Sequence, residues 1–259
     1  MEFRPCIDIH NGRVKQIVGG SLSDRGDRAT DNFVSDKDAA WYAGLYARDG
    51  LKGAHVILLN ASDSEYREKT KKQAMAALRA FPGGLQVGGG INADNALEYI
   101  KAGASHVIVT GFAFSGGKVR FDNLDRLCKA VGKERIVLDL SARLKNGKYF
   151  VVTDRWQTFT DEEVNEALFE KLSGYCDEFL VHGVDVEGKK AGLDKELIKI
   201  LADASERTKA VITYAGGISS EEDIKLLEEM SGGRLNYTVG SALDLFGGNL
   251  KYDELKKRR

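Results

Sequence analysis

Val-Gly-Gly-Gly-Ile at residues 87–91 returns as Tyr-Ala-Gly-Gly-Ile at residues 214–218, with Gly90 and Gly217 127 positions apart. Two further words keep nearly the same offset. Val-Thr-Gly (109–111) returns as Val-Gly-Ser (239–241), and Cys-Ile-Asp-Ile (6–9) returns as Val-Leu-Asp-Leu (137–140). Gly111 precedes Gly240 by 129 positions and Asp8 precedes Asp139 by 131, each close to half of the 259 residues. The chain therefore reads as two diverged copies of one unit. Each copy carries an acid on its first strand and glycine turns after its third and fourth.

Short apolar runs alternate with segments of helical periodicity. The expected strands are 4–9, 55–59, 85–87, 106–110, 135–140, 178–181, 210–214 and 236–239. Between them Ala93, Ala96, Leu97, Ile100 and Ala104 fit one helix face. Leu197, Ile200, Leu201 and Ala204 fit a second, and Ile224, Leu227 and Met230 a third. Ser219-Ser220-Glu221-Glu222 has the composition of a helix N-cap. Eight strand–helix units predict parallel pairing and closure into an α/β (β/α)8 TIM barrel. The repeat makes it two quasi-repeated half-barrels, roughly 1–131 and 132–259, in one domain spanning 1–259. Runs 14–18 and 149–152 are expected as extra strands in the loops after strands one and five.

Composition narrows the function classes. A net charge of −1 gives no bulk attraction to nucleic acid or to an acidic membrane. No apolar run approaches the ~18 residues that span a bilayer. Three unclustered cysteines (Cys6, Cys128, Cys176) suit reduced thiols and disfavour a zinc site. Met-Glu-Phe-Arg-Pro lacks an apolar signal region, so a cytoplasmic location is expected, and a monomer.

In such a barrel the site lies at the carboxyl ends of the strands. Glycine lets backbone N–H groups approach a ligand, and a helix start adds oriented donors for phosphate. Gly89 and Gly90 with Gly111 and Phe112 form one candidate cradle; Gly216 and Gly217 with Gly240 and Ser241 form the other. Two cradles on opposite flanks suit a small substrate with a phosphate at each end. Asp8 and Asp139 stand within apolar runs on opposite strands of the ring. A carboxylate there costs several kcal/mol unless paired or used, and a facing pair suits general acid–base chemistry. Which is acid and which base stays open at this level.

His182 ends strand six, beside the strand of Asp139, and orients that acid or polarises substrate if it is not merely structural. His10 reads as structural. His55 and His106 begin their strands, at the end away from chemistry, and Cys6 reads as core. Too few histidines reach the mouth for a metal set, so no metal is expected. Trp156, in a polar loop after the 149–152 run, is a candidate platform for a flat heterocycle. Arg143 and Arg155 nearby are candidate anion partners, with solvation as the default.

With these residues in view, the sequence resembles the histidine-pathway isomerases that act on phosphoribosylformimino-aminoimidazole-carboxamide ribotide (ProFAR), in their eukaryotic-type form. The opening 6–20, Cys-Ile-Asp-Ile-His-Asn-Gly-Arg-Val-Lys-Gln-Ile-Val-Gly-Gly, carries the likeness, which extends over nearly the whole chain. Gly-Gly-Ile words are shared by several phosphate-binding barrels; their combination with Asp8, Asp139 and Trp156 is more specific. The resemblance implies an Amadori rearrangement without a cofactor. It makes Asp8 the general base and Asp139 the general acid. The chain departs from the bacterial form at His182 (usually Thr), at Asn60 (usually Asp), and at Glu187-Gly188-Lys189 (usually Asp-Gly-Thr). Two alternatives remain. One is the cyclase subunit of imidazole glycerol phosphate synthase, which needs a glutaminase partner. The other is a non-catalytic sugar-phosphate-binding barrel, which would not need both acids.

Overall fold

Eight parallel strands wind in chain order into one sheet. In the computed structural model, which describes residues 1–18, 21–22, 28–154, 156–186 and 192–258, they are β1 Cys6–His10, β2 Ala54–Leu58, β3 Leu85–Gly88, β4 His106–Val109, β5 Ile136–Asp139, β6 Glu178–His182, β7 Val211–Ala215 and β8 Leu235–Tyr237. Each pairs in parallel with its successor. The ring closes where Tyr237 N–H donates to Glu2 O (3.0 Å) and Arg4 N–H to Tyr237 O (2.8 Å). The barrel read from the sequence is therefore the barrel observed, its halves joined through Val107↔Ile136, Ile108↔Val137 and Val109↔Leu138. Among the described residues eight α-helices follow the strands, α1 Ala39–Arg48, α2 Arg67–Ala80, α3 Ala96–Lys101, α4 Phe121–Val131, α5 Glu166–Leu172, α6 Lys195–Thr208, α7 Glu221–Ser231 and α8 Tyr252–Leu255.

The helix faces hold with one exception. Leu197, Leu201 and Ala204 of α6 and Ile224 and Leu227 of α7 are buried. In α3, Ala96, Tyr99 and Ile100 face the core, and Leu97 is exposed. That helix starts at Ala96 because Asn92 accepts from the backbone N–H of Asp94 and Asn95, making a turn of the residues before it.

Strand alternation fills the barrel in layers. At its base Glu178 pairs with Arg4 and accepts from Gln86 Nε2 (3.0 Å) and Thr213 Oγ1 (2.7 Å). This satisfies a buried carboxylate that would otherwise be costly. Above it Ile108, Val137, Leu180 and Ala215 form an apolar plug, with Ile57 against it. Residues two positions further on (Thr110, Asp139, His182) then open into the mouth.

Both expected extra strands exist, but they are attached differently. Arg13–Ile17 turns back antiparallel onto β1 (Ile9↔Val14, His10↔Arg13) and pairs outward with Asp31–Val34. Lys148–Thr153 lies between Ala142–Lys145 and Thr158–Glu163 in a sheet of its own. The flanking strands Asp31–Val34, Ala142–Lys145 and Thr158–Glu163 are short or polar, and hairpin pairing makes them strands.

Candidate active site

One cavity of about 730 Å³ occupies the carboxyl end of the barrel. Its lining includes Asp8, Asp139, His182, Trp156 and the glycines of both turn pairs. The two acids, His182, Trp156 and both pairs of glycine turns therefore meet in one place; Arg143 does not line it.

The two turns are built alike. Gly89 and Gly90 take φ of 101° and 70°; Gly216 and Gly217 take 121° and 74°. A Cβ on Gly89 would lie 2.1 Å from Leu58 O, and one on Gly217 would lie 2.0 Å from Gly192 O. Only glycine meets both demands. Among the described residues, no acceptor meets the backbone N–H of Gly90, Ile91, Gly111 or Phe112, nor of Gly217, Ile218, Gly240 or Ser241. All eight residues line the cavity. Unmet backbone donors in matched sets on two flanks are the feature of an anion site.

The helix starts contribute less than the sequence suggested. At α7 a capping box closes the first turn: Ser220 Oγ accepts from Asp223 N–H, and Asp223 Oδ2 accepts from Ser219 N–H, Ser219 Oγ–H and Ser220 N–H. Donors for a ligand thus come from the glycine loops ahead of it. No Lys or Arg lines the cavity among the described residues. Arg67 stands behind the first cradle instead, donating to Asn60 O (3.0 Å) and Gly89 O (2.9 Å).

The two acids sit in different hydrogen-bond fields. Asp139 accepts from Thr110 Oγ–H (2.9 Å) and Ser141 Oγ–H (3.2 Å), and His182 Nδ1 lies 3.1 Å from its Oδ1. The β5–β6 register, Leu180↔Asp139, brings His182 level with that carboxyl. Asp8 accepts from Gln16 Nε2 (2.9 Å), which comes from the Arg13–Ile17 strand. Thr110, Ser141 and Gln16 were not anticipated. Ser141 is two residues past Asp139, so strand alternation already puts it on the same side; Gln16 is a buried polar residue two past buried Val14.

Trp156 is tied down. Its Nε1–H donates to Ser141 Oγ (3.0 Å), its ring lies 6.3 Å from that of His182, and its carbonyl accepts from Arg143 (3.1 Å). Its φ is 70°, a conformation a bulky side chain adopts at a cost of order 1–3 kcal/mol. Arg143 also pairs with Asp185 at 3.2 Å, so it braces the loop and is not merely solvated. Arg155 and the 187–189 departure lie outside the described residues.

One reading holds and another is corrected. Cys6 is buried in the core, as read from the sequence; sharing the inward face of Asp8, because residues i and i+2 point the same way, it also lines the cavity. His55 starts its strand yet also lines the cavity, although only 4% exposed. Burial, reinforced by nearby His182, lowers its pKa to about 3, so it is a neutral imidazole. His106 does sit at the far end, 3.1 Å from Asp177, and His10 is buried beside the first loop. Asn60, buried at the end of β2, accepts from Asn11 N–H (2.9 Å) and Thr70 Oγ–H (2.6 Å). Its Nδ2 donates to Asn11 Oδ1 (2.7 Å) and Ser64 Oγ (3.3 Å), bonds a carboxylate cannot make, so an amide clamps loop one to α2.

The profile described as histidine biosynthesis protein matches residues 2–250. The chain belongs to the histidine biosynthesis protein family. Relatives within it are close. A Medicago truncatula protein is 52% identical, over 98% of this chain and 80% of its own length. It bears the name imidazole-4-carboxamide isomerase, chloroplastic, with a phosphoribosyl and a phosphoribosylamino-methylideneamino substituent on the imidazole. Proteins of Yarrowia lipolytica (46%, covering 96% and 93%) and Saccharomyces cerevisiae (44%, covering 96% and 94%) bear the same isomerase name. Among the described residues, no helix is long and apolar enough to cross a membrane.

Proposed function

We propose that this member of the histidine biosynthesis protein family is the aldose–ketose isomerase that converts ProFAR to its ribulosyl isomer. The supporting observation is one cavity holding Asp8 and Asp139 from opposite strands between two glycine cradles with unmet backbone donors. The substrate named for the relatives carries two phosphoribosyl groups, one for each cradle.

Chemistry follows from the placement. Asp139, sharing its proton with the neighbouring His182 imidazole, protonates the ring oxygen of the aminoaldose. The C1′–O bond breaks and the amine lone pair forms the C1′=N Schiff base. Asp8 then removes the C2′ proton, and that electron pair forms C1′=C2′ and neutralises the nitrogen. The resulting enolamine ketonises, taking a proton at C1′ and leaving the carbonyl at C2′. Electrons are only rearranged within the substrate, so no cofactor is needed. Two positioned proton-transfer groups supply about 10²–10⁴ each. Trp156 offers its ring to the aminoimidazole carboxamide. A monomeric, cytoplasmic enzyme is part of this reading.

Purified protein incubated with ProFAR, without ammonia or a glutaminase, tests the proposal by NMR of the sugar protons. Conversion to the ribulosyl isomer is expected. Unchanged ProFAR overturns it, and cyclised product from the ribulosyl isomer with ammonia would assign the chain to the cyclase.

A further inference from the structure

We propose that Gln16 is a positioning residue for Asp8, its side-chain amide aiming the carboxylate of the base and linking it to the cradle after β8. This rests on the isomerase reading above.

Gln16 is 5% exposed, and two contacts define its orientation. Its Nε2 donates to Asp8 Oδ2 at 2.9 Å and lies 3.6 Å from Cys6 Sγ. Its Oε1 lies 2.6 Å from where a Cβ on residue 240 would stand. Gly240 is not among the glycines of positive φ, so what a side chain there would meet is the Gln16 amide, which would have to move. The backbone on both sides of the amide is fixed. β1 carries Asp8, and Arg13–Ile17 is held to β1 at Ile9↔Val14 and to Asp31–Val34 at Gln16↔Phe33. A buried amide seated against a carboxylate favours its ionised form and one rotamer. Both are what a base aimed at one C–H needs. The second half-barrel is built differently, since Asp139 is held by hydroxyls and an imidazole.

Titratable groups around Asp8 are Cys6 on its own strand, Tyr46 on α1, His55 on β2, and Asp139 and His182 across the mouth. Burial raises the Tyr46 phenol well above its ordinary 10 and lowers His55 to about 3, so neither titrates near neutrality. Asp139 and His182 are the same in the Gln16 variants as in wild type, so the comparison is made as a ratio to wild type.

The test uses Gln16→Leu, Gln16→Glu and Asp8→Asn with ProFAR carrying hydrogen or deuterium at C2′. For Gln16→Leu, kcat falls at least ~10-fold, KM stays within ~3-fold, and the deuterium isotope effect on kcat rises, because the slowed step is Asp8's own. Gln16→Glu keeps the volume, so it carries the test even if Gln16→Leu does not fold. The carboxyl introduced by Gln16→Glu donates to Asp8 when protonated and repels it when ionised. The kcat of this variant relative to wild type therefore falls as pH rises from about 5.5 to 8.5. Wild-type kcat in Gln16→Leu, a loss without a larger isotope effect, or a flat pH ratio for Gln16→Glu overturns the proposal. If Asp8→Asn is dead while the Gln16 variants behave as wild type, this inference alone fails. If Asp8→Asn turns over normally, the assignment of the base fails with it.

Discussion

The first and second half-barrels share paired glycine turns and differ in what surrounds them. Their glycine turns have nearly the same dihedrals, and both bar a Cβ with a carbonyl oxygen at 2.1 and 2.0 Å. Around them the halves part. Arg67 braces the first cradle from behind, whereas the second is followed by a helix capped by its own Ser220 and Asp223. Asp8 meets the Gln16 amide from a strand continuous with the barrel sheet; Asp139 meets Thr110, Ser141 and His182 under a separate three-stranded flap. Anion binding by backbone needs the same geometry at both ends of a two-phosphate substrate. Acid and base work needs opposite protonation behaviour from two identical carboxyls, and only their neighbours can supply it.

The comparison is broken most directly at the acids. Asp139→Asn and Asp8→Asn should each lower kcat by ~10²–10⁴ with substrate binding largely retained. Single-turnover rates check this. An Asp139→Asn enzyme that opens the ribose ring, or an Asp8→Asn enzyme that exchanges the C2′ proton, would show that the two roles are not divided as proposed.

Gly89→Ala and Gly217→Ala test whether the cradles are equivalent. Each new methyl meets a carbonyl oxygen, and the left-handed backbone adds ~1–2 kcal/mol of strain. Both should raise KM about 10-fold or more and lower the melting temperature. A large effect on KM in one and none in the other would leave a one-phosphate site.

Trp156 sharpens the contrast at the flap. Trp156→Ala removes a ring whose stacking is worth about 0.5–1.5 kcal/mol beyond area burial, and also frees Ser141 beside Asp139. KM should rise roughly 3- to 10-fold, with a smaller rise in Trp156→Phe. Unchanged kcat and KM in Trp156→Ala would make the residue packing only.

The smallest effect at neutral pH belongs to His55. Its folded pKa of about 3 lies below the ordinary 6.5, so the unfolded chain binds a proton that the native state refuses. Its contribution is full above pH 6.5 and is lost as pH falls toward 3. Between pH 7 and 4.5 the loss is on the order of 2–3 kcal/mol. Urea midpoints of wild type and His55→Gln at these two pH values should converge as pH falls. Parallel midpoints would place a protonated His55 inside the barrel.

Much of this protein was determined by its sequence. The repeat, the alternation of strand and helix runs, and the acids inside apolar words specify an eightfold barrel and the face that carries chemistry. Each of these is local or periodic, and glycine words announce their backbone demands directly. What needed tertiary structure were the partners. Gln16 reaches Asp8 because a hairpin folds back on β1, and Thr110 reaches Asp139 because β4 lies against β5. Ser141 was within reach of the two-residue period once the inward face was assigned. His55 was misplaced because position along a strand does not say how deep the cavity descends. Which donors stay free was likewise a tertiary matter: the N–H groups of Ser219 and Ser220, just ahead of α7, go to Asp223, and those of Gly217 and Ile218 before them meet no acceptor among the described residues. Hydrogen bonds act within about 3 Å, and sequence spacing cannot specify that distance between residues that meet only when the barrel closes.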